Sequence, residues 1–148
     1  MRHLVGVPAR VITVLAVGWI VGWVVERLTS VEQVGANIGA GLAAMAAGAL
    51  VVLVWSVLDG RSRGWPAVLT WGTVALVIGL LNGSGEYVNG RRLEDVPVGN
   101  PGQEFAPTPD PWSMALSGFL FALFVPLVIA VIGVAIGSLS GRRDPGSR

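Results

Sequence analysis

GANIGAGLAAMAAGAL, Gly35 to Leu50, is the stretch on which the reading of this chain turns. Within it Gly39, Gly41 and Ala44 spell G-x-G-x-x-A, and Asp59 follows at roughly the spacing a dinucleotide-binding fold places between its glycine turn and its ribose-binding acid. That fingerprint works only as strand, tight turn and helix, with a pyrophosphate resting on the helix N-terminus. The residues leading into Gly39 are VEQVGANI, which hold no buried strand, and an uncharged apolar run continues from there to Leu58. The cofactor reading fails on context, and no cofactor is expected.

The small residues have a different physical use. Gly35 and Gly39, and then Ala40, Ala44 and Gly48, recur every fourth position, so each set lines one face of a helix and leaves a groove that a second backbone can enter. Lipid tails solvate leucine as well as a protein does, so helices in a bilayer associate through such close contact. Gly18 and Gly22 repeat the spacing upstream, as do Gly133, Gly137 and Gly141 near the end of the chain. The pattern predicts packing within the chain or between chains and does not separate the two.

A membrane is also what the composition demands. Of 148 residues, 53% are hydrophobic and 13% charged, with a mean hydropathy of +0.69, against about 25% charged in soluble domains. No ionisable residue lies between Glu32 and Asp59, between Arg63 and Glu86, or between Asp110 and Arg142. Each gap exceeds the roughly 20 residues that cross a hydrocarbon core as a helix. A shorter gap, VITVLAVGWIVGWVV, runs from Arg10 to Glu26. It extends upstream through apolar Leu4 to Ala9 if Arg10 snorkels to the headgroups, and no small-x-small cleavage site follows it. The expected fold is therefore all-α, a polytopic membrane protein with four transmembrane helices at Val5–Val25, Gly35–Leu58, Trp65–Leu81 and Ser113–Leu139, in a single domain over 1–148.

Arginine placement orients it. The N-terminus, the Asp59–Gly64 turn and the tail carry Arg2, Arg10, Arg61, Arg63, Arg142, Arg143 and Arg148; the opposite side carries Arg27, Arg91 and Arg92. The positive-inside tendency predicts a multi-pass protein of the cell membrane with both termini cytoplasmic. Trp55 and Trp65 would flank the inner turn, and Trp23 and Trp112 would mark the outer ends. Trp19 and Trp71 lie deeper, where packing against a neighbouring helix is favoured over a ligand-stacking wall.

The chain is poor in chemistry. It has no cysteine and a single histidine, His3 beside the N-terminus, so neither a thiolate nor a histidine-based metal site is expected. A net charge of +1 leaves no footprint for nucleic acid. No acid or base lies in the middle of a span, where ion-coupled transporters and voltage sensors keep theirs. The hydroxyls of Thr13, Ser56, Thr70, Thr73 and Ser117 suit bonds to carbonyls of the preceding turn, while Asn37, near the outer end of its span, suits either water or a bridge between helices. Pro126 predicts a kink in the last span near Ala122 to Pro126.

The outer loop, Asn82 to Pro111, is the most individual segment. Asn89-Gly90 between EYV and RRL suits a type I′ turn in a small hairpin, and the prolines beyond Leu93 suggest extended chain. Tyr87, Arg91, Arg92, Phe105 and Trp112 are its candidate partner-binding residues. The function expected is that of a non-enzymatic membrane protein, an accessory or assembly subunit touching lipid and other membrane proteins or copies of itself. The alternative is a passive channel or small-solute transporter, oligomeric, with Pro126 and Asn37 as its first residues to test.

Overall fold

A computed structural model describes residues 2–28, 35–94 and 110–141. They form four helices: α1 (Arg2–Leu28), α2 (Gly35–Arg63), α3 (Pro66–Glu94) and α4 (Pro111–Gly141), and there is no strand among the described residues. Each helix contains a stretch long and apolar enough to cross a membrane, at Gly6–Leu28, Ile38–Arg63, Pro66–Arg92 and Pro111–Gly141. Helices satisfy every backbone donor internally, which lipid requires of anything that spans it. Large apolar side chains such as Ile12, Leu42, Leu69 and Phe121 point outward, a surface that suits lipid. The chain is an all-α, multi-pass membrane protein.

The ends of the helices follow from local chemistry. Gly64 has φ +65° and donates its N–H to the Gly60 carbonyl at 3.0 Å, the left-handed cap that closes α2. Pro66, needing no N–H, then opens α3. Asp110 caps α4, accepting the Ser113 N–H on Oδ2 at 3.0 Å, with Pro111 in the first helical position.

Two compact units divide the chain: residues 1–74 with 125–148, and residues 75–124. In the first, α2 presents one face to α1 and another to α4. Along α1, Val11, Val14, Gly18 and Gly22 form the inward stripe. A Cβ added to Gly18 would lie 3.5 Å from the Ala44 carbonyl oxygen, and one on Gly22 would lie 3.4 Å from the Ala44 Cβ and 3.8 Å from the Ala40 carbonyl oxygen. Gly48 faces Val14 at 3.7 Å. These are ordinary contacts between antiparallel helices. The α2–α4 pairing is parallel and much closer. Gly133 lies on Ser56 and the Leu53 carbonyl, Gly137 on the Val57 carbonyl and the Arg61 amide, and Gly141 on Arg61. In return Gly60 lies on the backbone of Val134, whose carbonyl oxygen would be 2.5 Å from an added Cβ.

Gly35 is the first residue of α2, and Gly39 has nothing within 4 Å of an added Cβ. Gly39 lies on the exposed side of α2, whereas Ala40, Ala44 and Gly48 face α1. Gly39→Ala is expected to stabilise the fold by about 0.5–1 kcal/mol, the helix-propensity difference alone, as read by reversible unfolding in bicelles.

In the second unit the end of α3 runs antiparallel to the start of α4. Here the expected hairpin at Asn89-Gly90 is corrected. α3 continues as helix from Leu81 to Glu94, more than three turns beyond its expected end. The glycines that read as turn formers are used for close approach instead. An added Cβ would lie 2.9 Å from the Ala115 carbonyl oxygen at Gly83, and 2.9 Å from the Pro111 Cα at Gly90. Asn82 Nδ2 donates to the Gly118 carbonyl at 3.0 Å, and the Tyr87 and Trp112 rings meet at 4.8 Å between centroids. Packing of this kind outweighs the roughly 1 kcal/mol that a glycine costs within a helix. α4 likewise stays helical through Pro126.

Hydroxyls within the helices turn back on their own backbones. Ser56 Oγ donates to the Leu53 carbonyl at 2.9 Å, Thr73 Oγ1 to Leu69 at 3.0 Å and Ser117 Oγ to Met114 at 3.0 Å.

Candidate functional site

Three helices of the first unit bring a polar cluster together. On α2, Val52, Ser56 and Asp59 share the buried stripe that meets α4 and α1. On α3, Ala67, Trp71 and Val74 form another at helical spacing. On α1, Arg10 lies one turn into the membrane-length stretch and beside buried Val11. The three periodicities place Arg10, Asp59 and Trp71 against one another.

The geometry is closed. Arg10 Nη2 donates to Asp59 Oδ1 at 2.9 Å and to Oδ2 at 2.8 Å, and Arg10 Nε reaches Oδ2 at 3.2 Å. Trp71 Nε1 donates to the same Oδ2 at 3.1 Å. Arg10 Nη1 donates to the Gly6 carbonyl at 2.8 Å, and the glycine leaves the space in which that nitrogen lies. The guanidinium carbon is 5.8 Å from the ring centroids of both Trp55 and Trp71, within cation–π range. Side-chain exposure is 13% for Arg10 and 11% for Asp59.

The expectation that Arg10 snorkels outward to the headgroups is thus corrected. An opposite charge and a carbonyl lie within reach on the protein side, and both satisfy the guanidinium better than a stretched route to water. An unpaired arginine or aspartate costs up to about 3 kcal/mol at the centre of a span and less toward its ends. Pairing removes most of that cost for both residues at once.

Beside the pair is a half-open cleft of about 260 Å³ lined by Gly6, Ala9, Arg10, Trp55, Leu58 and Asp59. Its chemistry is limited. Three of the four donor contacts on Asp59 fall on Oδ2 and one on Oδ1, so the guanidinium and the indole take up most of the carboxylate's acceptor capacity. Among the described residues no three acids or histidines are close enough to share a metal, and every buried side-chain polar atom has a partner.

The residues expected to bind partners are placed differently from one another. Tyr87 and Trp112 meet at a 50° tilt across α3 and α4, which spends part of their surface inside the chain. Arg91 and Arg92 belong to the last turn of α3 and are exposed. Phe105 lies outside the described residues. Trp71 is buried at 1% exposure and is a hydrogen-bonding member of the cluster as well as a packing residue; Trp19, expected to pack within the bundle, is 72% exposed and faces outward.

Arg10, Asp59 and Trp71 were absent from the expected site because Arg10 and Asp59 each bound an uncharged gap and so resemble ordinary end-of-span charges. Trp71→Phe keeps the ring and removes the indole donor. It is expected to cost about 1.5–3 kcal/mol, the range for a hydrogen bond to a charged group, measured as the loss in unfolding free energy in bicelles. Compared with protein-family models, with curated proteins and with solved structures, the chain matches none of them.

Proposed function

We propose that this protein is a non-enzymatic accessory or assembly subunit of the cell membrane, binding other membrane proteins or further copies of itself. The observation that carries this reading is the closed state of its polar core: arginine, aspartate and tryptophan satisfy one another and offer no free acid, base or nucleophile. Surface remains for association. Large apolar side chains cover the outside of every helix, and Gly39 and Gly41 on α2 are open to a neighbouring backbone.

In this reading both termini are cytoplasmic. The contacts of Arg10 with Asp59 and of Gly141 with Arg61 bring the start of α1 and the ends of α2 and α4 to one end of their unit. Arg61 and Arg63 lie at that end, with Arg142, Arg143 and Arg148 following α4 in sequence, so the excess of arginine persists even with Arg10 neutralised.

The test is purification in a gentle detergent, with the mass of the intact assembly measured directly. A stoichiometric membrane-protein partner, or a defined oligomer of the chain, is the expected result. A lone protomer that conducts a solute across proteoliposomes would overturn the reading in favour of a passive channel.

A further inference from the structure

We infer that the Arg10–Asp59 pair is an insertion lock: α1 becomes a stable membrane span only once Asp59 of α2 has neutralised Arg10. The uncharged run between Arg10 and Glu26 holds about 15 residues, or roughly 22 Å of helix, against a hydrocarbon core of about 30 Å. A full crossing has to begin near Gly6, which puts Arg10 inside the apolar stretch.

The side chain reaches one turn back along α1 to the Gly6 carbonyl and otherwise crosses to α2. It is held across the interface by both oxygens of Asp59 and flanked by Trp55 and Trp71. Gly6 supplies the third acceptor and the room for Nη1. The arrangement therefore neutralises the charge within the protein rather than delivering it to water.

The dependence runs one way. Between Glu32 and Asp59 α2 has more than enough uncharged residues to cross unaided, and the segment Gly35–Leu58 leaves Asp59 at its very end. α1 has no such reserve. α2 is thus the template, and α1 is held across the bilayer by a residue that follows Arg10 by 49 positions.

The chain lacks cysteine, so single reporters can be introduced without background. His3→Cys marks the start of α1, and Leu28→Cys marks its far end, close to where α2 begins. Each is labelled with a membrane-impermeant maleimide before and after permeabilisation. In the parent chain the two reporters are expected to label from opposite faces, whichever face is cytoplasmic.

Asp59→Ala is expected to bring His3→Cys to the same face as Leu28→Cys in a fraction of molecules, raising the ratio of non-spanning to spanning α1 about tenfold. Arg10→Leu with Asp59→Leu, and the exchange Arg10→Asp with Asp59→Arg, are expected to restore parental labelling. Cell-free synthesis into membrane vesicles gives the same readout before any degradation of a misfolded variant. Parental labelling in Asp59→Ala, even with reduced stability, would overturn the proposal and leave the pair as a packing clamp. Same-face labelling in the parent, or failure of the double leucine variant to restore it, would also overturn it.

Discussion

Replacing Asp59 by alanine is expected to destabilise the folded protein by about 3–5 kcal/mol, the typical cost of breaking a buried ion pair from one side. The carboxylate is the charged partner that α2 offers the Arg10 guanidinium, and it also accepts the Trp71 indole N–H. Its removal leaves a cation between two tryptophan rings with the Gly6 carbonyl as its remaining acceptor. Arg10→Ala is expected to cost a similar amount from the other side, with Asp59 held by Trp71 alone.

The paired replacement separates two explanations. Arg10→Leu with Asp59→Leu removes both charges and fills the space with apolar volume, so it is expected to lie within about 1 kcal/mol of the parent or above it. The single losses should therefore not add, and the coupling energy should be as large as either of them. Reversible unfolding in bicelles of the parent, Arg10→Leu, Asp59→Leu and the paired variant supplies all four corners of the cycle. Additive losses would mean that the two residues act independently, contrary to the contacts between them.

Gly137→Leu is expected to cost at least about 3 kcal/mol, because overpacking at a backbone contact leaves no rotamer free of collision. Gly137 lies on the Val57 carbonyl and the Arg61 amide, groups that cannot swing aside as a side chain can. Gly133→Ala should also be costly, since its Cβ would enter the space of Ser56 Oγ and the Leu53 carbonyl. On the opposite face of α2 the same chemistry should be mild. Gly22→Ala meets Ala44 at an ordinary 3.4 Å, so a change within about 1 kcal/mol is expected. The gradient from Gly137 through Gly22 to Gly39 tests closeness of approach as the cause, since all three are glycines in helices and differ chiefly in what lies above them.

Much of this architecture was readable from the residues. The gaps between charges located four spans because lipid tolerates few unpaired ions, and α1, α2 and α4 follow the expected stretches closely. The fourfold spacing of Gly18 with Gly22, and of Ala40, Ala44 and Gly48, marked the faces on which α1 and α2 meet. Spacing cannot say how near a partner comes, so the far tighter seating of Gly133 and Gly137 was invisible. Asn89-Gly90 misled for a related reason. Its local preference for a turn is set by two residues, whereas the decision to continue α3 is made by Gly83, Tyr87 and Gly90 against α4, residues whose partners lie beyond the outer loop.

The cluster was the hardest part to foresee. Arg10 and Asp59 are 49 positions apart, each near the end of its own helix, where a charge ordinarily needs no partner. Pairing them requires knowing that α1 and α2 are antiparallel neighbours in a register that Gly18, Gly22, Ala44 and Gly48 set. The small residues thus do more than let helices approach: they fix the height at which the arginine meets its carboxylate.

The central claim is that these helices cross a bilayer with their large apolar side chains turned to lipid. Spin labels placed singly at Leu15, Leu50, Leu76 and Val128, all exposed and near the middle of their apolar stretches, test it most directly in reconstituted liposomes. Collision with dissolved oxygen and shielding from an aqueous nickel reagent are expected at all four positions. Ready access of the nickel reagent to these labels would show that the helices lie in water and would contradict the membrane-spanning fold.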